Sequence, residues 1–216
     1  MSIAVALRSL SRPTIATWLA LSLAAVHAAN YRIEPTETTA SFEVWLIGFI
    51  PIRGHFKRTG GALRFDPIAR SGYIEVAIDT TTLEANTPRA QATARGRGFF
   101  NVEKYPRVEF KSSRFIFEGD RLHAIEGMLT LTGTTQPVTL AVDQAACKPT
   151  VGGEPSVCRA DASFTVKRSA FGMKSWANSV GDEVTIRINI VAFADEAIAK
   201  PLLAPPVELI DTPKQP

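Results

Sequence analysis

Apolar and polar residues alternate with a period of two along most of this chain. Ala40, Phe42, Val44 and Leu46 interleave with Ser41, Glu43 and Trp45, and Ile74, Val76 and Ile78 interleave with Tyr73, Glu75 and Ala77. Val108 and Phe110 flank Glu109, Phe115 and Phe117 flank Ile116, and Leu129 and Leu131 alternate with Thr130 and Thr132. The pattern returns at Val138, Leu140 and Val142, at Phe164 and Val166, and at Val184, Ile186, Ile188 and Ile190. Side chains of a strand point to opposite faces in turn, so each run predicts a strand with one apolar and one polar face. Turn signals separate the runs at Gly60-Gly61, Asp66-Pro67, Ser71-Gly72, Glu118-Gly119-Asp120 and Gly133. Glu118 to Arg121 reads as a tight hairpin. Many short strands at regular spacing predict an all-β barrel or sandwich.

Three segments break the alternation. Thr87 to Arg97 is rich in Ala and Arg, with Pro88 near a helix start and Gly96 near its end, and predicts one short helix across a barrel end. Residues 200–216 hold five prolines and predict an extended or disordered tail, read first as a frayed terminus and only second as a partner contact. Residues 1–28 read as a secretory signal peptide. Arg8 and Arg12 precede an apolar run from Ile15 to Val26, and Val26-His27-Ala28 offers small residues at a cleavage site. That run falls short of the ~20 residues that span a bilayer. The expected mature chain therefore starts at Ala29 and works in the periplasm, with one domain over 29–199.

Cleavage changes the charge picture. The full chain has 24 basic and 21 acidic residues, but removing Arg8 and Arg12 leaves 22 against 21. No clustered basic stripe of a nucleic-acid binder is present. Cys147 and Cys158, the only cysteines, read as a disulfide in an oxidising compartment. The Gly- and Pro-rich stretch between them looks like a hairpin loop, so the bridge is expected to lie outside the strand pattern.

Catalytic chemistry is hard to assemble from these residues. His55 and His123 are the only histidines after residue 28, and neither has a neighbouring Cys or paired acids to hold a metal. Neither a G-x-S-x-G elbow nor a phosphate-binding P-loop occurs. The acids of Asp182-Glu183 and Asp195-Glu196 are adjacent, so on a strand they face opposite ways. The expected function is binding, without enzyme activity, metal or cofactor.

Five segments, in order, resemble the YceI-like family of bacterial periplasmic proteins. They are Gly60-Gly61-Ala62-Leu63-Arg64-Phe65-Asp66-Pro67, Phe99-Phe100-Asn101-Val102-Glu103-Lys104-Tyr105-Pro106 with Val108 to Ser112, Gly127 to Gly133 with Pro137 to Leu140, Arg168 to Met173, and Val180 to Val184. The resemblance implies an eight-stranded antiparallel lipocalin-like barrel whose long interior tunnel holds a polyisoprenoid or related lipid. It also implies a monomer or homodimer without metal or redox cofactors. Some positions depart from the family. Its polar first-strand and helix positions are Glu37, Leu46, Gln91 and Thr93 here, and Ala170 replaces the acid after Arg168-Ser169. The segment Trp45 to Ile52 is unusually apolar.

An eight-stranded barrel has room for one small ligand. The alternation nominates as lumen residues Phe42, Val44, Leu46, Ile74, Val76, Ile78, Val108, Phe110, Leu129, Leu131, Phe164, Ile186 and Ile188. The same pattern would also fill a dry core. Trp45 and Trp176 fit either a place at the mouth or packing on the outside. The expected ligand is a polyisoprenoid, an isoprenoid quinone or a similar amphiphile. The alternative is an envelope module that docks to a membrane partner such as a quinone-using cytochrome, with the tail as the contact.

Overall fold

The computed structural model describes residues 29–148 and 156–195. The expected signal peptide and Pro-rich tail lie outside the described residues. Eleven strands and one helix follow in order: β1 (Ala29–Ile33), β2 (Thr39–Leu46), β3 (Ile50–Phe56), β4 (Thr59–Asp66), β5 (Ser71–Asp79), β6 (Leu83–Ala85), α1 (Pro88–Arg95), β7 (Arg107–Glu118), β8 (Arg121–Leu131), β9 (Thr134–Lys148), β10 (Val157–Lys167) and β11 (Val180–Ala194).

Eight of these close a ring in the order β1-β4-β5-β7-β8-β9-β10-β11, with β11 returning to β1 through Tyr31↔Ala194, Arg32↔Phe193 and Ile33↔Ala192. Every pairing is antiparallel, and the result is a closed eight-stranded barrel. Closure removes the open sheet edges on which chains aggregate. The three remaining strands prolong the ring: β2 continues β1, β3 continues β4 in reverse, and β6 continues β5, so that β11-β2-β3-β6 forms one flared wall.

The first kink is held by one buried hydroxyl. Thr38 donates to the Val191 carbonyl at 3.2 Å and accepts from the Val191 amide at 3.1 Å, replacing the ladder where β1 gives way to β2. Gly60-Gly61 is not the turn that its composition suggests; it lies inside β4. Gly61 has a φ of +149°, and a Cβ there would stand 2.0 Å from the Glu75 carbonyl oxygen, so Gly61 lets β4 press against β5. The hairpin from Glu118 to Arg121 forms as expected, with a two-residue turn.

The helix is shorter than the predicted span by one residue at its start and two at its end. Pro88 fills its first turn, where the missing N–H costs nothing. Thr87 caps it by accepting from the Ala90 amide at 3.1 Å. The disulfide forms, but not outside the strands. Cys147 on β9 and Cys158 on β10 are direct cross-strand partners with Cα atoms 4.0 Å apart.

The interior divides into two halves. The half farther from α1 is filled by Tyr31, Ile33, Ile74, Leu122, Ile125, Val142, Ile190 and Ala192, all buried, with Phe65 and Phe117 stacked at 6.4 Å. The half beneath α1 is not filled.

Candidate functional site: an apolar cavity beneath the helix

Between this packed floor and α1 lies a cavity of about 250 Å³. Its wall is built from the inward faces of the strands, two residues apart, as the alternation requires. Twelve of the thirteen nominated residues stand on it: Phe42, Val44, Leu46, Val76, Ile78, Val108, Phe110, Leu129, Leu131, Phe164, Ile186 and Ile188. Ile74 does not. It points inward one step deeper along β5, where opposing side chains meet and close the floor.

The strand pattern misses the roof. Thr87, Arg89, Ala90, Thr93 and Ala94 of the helical segment line the cavity, as do Phe99, Phe100, Met173 and Trp176 from loops. Small side chains on the inner face of α1 leave the space open below it. The turn after α1 is fixed by the Phe100 amide donating to Ala94 and the Tyr105 amide donating to Asn101. It carries Phe100 into a trio with Phe42 and Phe56, with centroids 5.3–5.9 Å apart. Gly54 makes room for this: a Cβ there would meet the Phe42 ring at 2.4 Å. A paired Phe in a stretch without strand alternation was the available signal for this lid. Trp176 stands at the mouth, edge-on to Phe99 at 6.3 Å, whereas Trp45 lies on the outer face of β2.

One buried charge sits in this apolar wall, besides the exposed Arg89 of the roof. Arg168 is 3% exposed, yet its guanidinium donates to four backbone carbonyls: Gly181 (2.9 Å), Met173 (2.6 Å), Ser175 (2.8 Å) and Val180 (2.8 Å). It also lies 5.7 Å from the Phe99 ring centroid. The planar fork serves several acceptors at once, which a lysine ammonium does poorly. Arg168 thereby pins the loop between β10 and β11 over the barrel end. Asp182 ties down the same loop by accepting from the Ser169 hydroxyl (2.8 Å) and amide (2.9 Å). These hydrogen bonds, helped by the charges of Arg168 and Lys167, hold its carboxyl below the usual aspartate range.

The family's polar positions take ordinary places. Glu37 is exposed in the turn before β2, and Gln91 accepts from the Ala85 amide at 3.4 Å. Thr93 and Leu46 line the cavity. His55 and His123 are exposed on strands, beside Glu84 at 3.5 Å and Glu118 at 3.6 Å respectively. Among the described residues, no group of three or more His, Cys, Asp or Glu side chains gathers to hold a metal ion.

A model of the YceI-like domain matches residues 31–192. The chain belongs to the YceI-like family. Its curated relatives include Protein YceI of Escherichia coli O157:H7, 35% identical over 127 residues, which are 56% of this chain and 65% of that protein. A UPF0312 protein of Vibrio parahaemolyticus is 32% identical over 141 residues, covering 62% of this chain and 74% of the relative. Among solved structures, Burkholderia cenocepacia BcnA superposes with a TM-score of 0.63 at 23% identity, over 74% of this chain and 98% of its own. A polyisoprenoid binding domain from Saccharophagus degradans gives 0.57 at 11% identity, over 78% and 100%. At these identities the two structures share the YceI-like barrel fold with this chain.

Proposed function

We propose that this YceI-like protein is a periplasmic carrier that holds one long apolar amphiphile, a polyisoprenoid or isoprenoid quinone, in the barrel. The observation that carries the reading is the cavity itself: an almost wholly apolar chamber inside a close-packed barrel, roofed by a helix with small inner side chains. Apolar chain gains roughly 0.8 kcal/mol per CH₂ on leaving water. Such a wall therefore binds a lipid tail tightly with few polar contacts. The Saccharophagus degradans neighbour, described as polyisoprenoid binding, supports the ligand class. The leader-like residues 1–28 and the cross-strand disulfide support an oxidising envelope compartment.

The test is native mass spectrometry of the chain from Ala29 onward, with extraction of the bound lipid. One apolar amphiphile per barrel is expected. A protein that carries no lipid and takes up neither polyprenol nor isoprenoid quinone would sink the reading. Val76→Trp sharpens it, because added volume in a ligand chamber displaces ligand, whereas in a close-packed core it costs about 1–3 kcal/mol of stability. After delipidation, which removes the ligand's own stabilising effect, the variant should stay folded and refuse lipid. One that melts early yet still loads places Val76 in packed core.

A further inference from the structure

The exposed apolar residues of this barrel are unevenly placed. Trp45, Ile47, Phe49 and Ile50 stand on the single hairpin joining β2 to β3, and Trp176 stands on the neighbouring loop. The two are joined by the Ile47 amide donating to the Ser179 carbonyl at 2.6 Å and by the pairing of Leu46 with Val180. Leu46 and Ile52 of the same hairpin line the cavity, as Trp176 does, so the hairpin and the neighbouring loop reach from the chamber wall to the outside. Phe49 is 68% exposed at the tip.

Water is a poor place for such a tip, and the backbone is bent to put it there. Ile47 has a φ of +45° and Gly48 one of +84°, a turn in which Asn or Asp ordinarily precedes Gly. A β-branched residue in this region is sterically costly. Ile47, still 52% exposed, recovers only part of that cost by burial.

Charge around the mouth is equally uneven. The segments 45–50, 87–104 and 168–182 carry six basic residues, the buried Arg168 among them, and two acids, while the chain from Ala29 has 22 against 21. Arg89, Arg97, Lys104 and Lys174 are exposed, and among the described residues none of them forms an ion pair. On the barrel wall Arg53, Lys57 and Arg114 each meet a carboxylate, while Arg64, Arg159 and Arg187 form no ion pair among the described residues. It is the number of bases around the mouth, more than their lack of partners, that sets it apart.

We infer that the β2–β3 hairpin and Trp176 form a docking tip that inserts into the interface of an anionic lipid bilayer and sets the cavity mouth against the membrane. Aromatic and aliphatic side chains ringed by cations match such an interface, where apolar tips sink below the headgroups and cations meet the anionic surface. The inference rests on the lipid-carrier reading and adds the surface from which the cargo is exchanged.

The experiment is flotation of the chain from Ala29 onward, which contains every strand of the barrel, with two kinds of vesicle. One contains phosphatidylethanolamine and phosphatidylglycerol, and the other phosphatidylcholine alone. The parent should float with the anionic vesicles, less so as salt is raised and charges are screened, and weakly with the neutral ones. The double variant Ile47→Asn/Phe49→Ser, whose Asn suits the turn, should lose about tenfold or more in partitioning. Ile68→Ser, at the opposite end of the barrel, should float like the parent. A parent that ignores both vesicles, a double variant that floats equally well, or equal binding to both lipid compositions overturns the inference. So does sedimentation showing that the hairpin is covered by a second copy of the chain. Native mass spectrometry after loading with polyprenol separates the two claims: a chain that loads without floating disproves the docking tip alone, and one that floats without loading disproves the carrier alone.

Discussion

Arg168 shows how much of the cavity end depends on one side chain. Its guanidinium satisfies four carbonyls that would otherwise be stranded in apolar surroundings, and each orphaned buried group costs about 1–3 kcal/mol. Arg168→Lys keeps the charge but loses the fork, so a loss of about 3 kcal/mol is expected, read as a lower urea midpoint at an unchanged slope. An unchanged midpoint would mean that water takes over the carbonyls. This role was only half legible. Arg168-Ser169 stood out in sequence as part of the family resemblance, but no local pattern says that a lone arginine before a loop turns inward. Its partners lie as far as 13 residues ahead, and nothing in their side chains marks them, because the acceptors are backbone. Ile74 and Val76 make the complementary point. They are two residues apart on the same face with the same chemistry, and only the approach of the opposite wall makes one of them floor and the other chamber.

At the scale of elements, strands were the most legible because inside and outside alternate residue by residue. The helix was legible through Thr87 and Pro88. What alternation did not show is that β2 follows β1 along the same partner, β11, or that a 3-10 turn, Thr80–Thr82, separates β5 from β6, since the breaks at residues 34–38, 57–58 and 80–82 leave each strand with its own intact pattern. The disulfide was legible as a bond but not as a place. Cys147 and Cys158 sit on paired strands already held by ladders on both sides of β10, the one to β9 shifting register between Asp161 and Ala162. Replacing both by Ser removes a loop constraint worth at most about 2–3 kcal/mol, so the variant should fold, with a modestly lower melting temperature. The unreduced parent should show no free thiol on titration. Two reactive thiols per chain, or a double variant that fails to fold, would contradict this account.

On the scale of the whole molecule, the packed floor decides how the chamber can be used. Tyr31, Ile33, Ile74, Leu122 and Ile125 stop the far end, so the barrel is a socket and not a pipe. Whatever enters past α1 must leave by the same door, and nothing can push it from behind. Unloading therefore retraces loading step by step, and a newcomer waits for the occupant to go. A labelled ligand chased with a water-dispersible short-chain isoprenoid should leave at a rate that stays constant as the chaser is raised. A rate that climbs with chaser would require a second way in. In a socket, the end of a bound chain nearest the door would be the last to be swallowed and the first to be offered back, so a carrier built this way would hand over its cargo in the same orientation in which it received it.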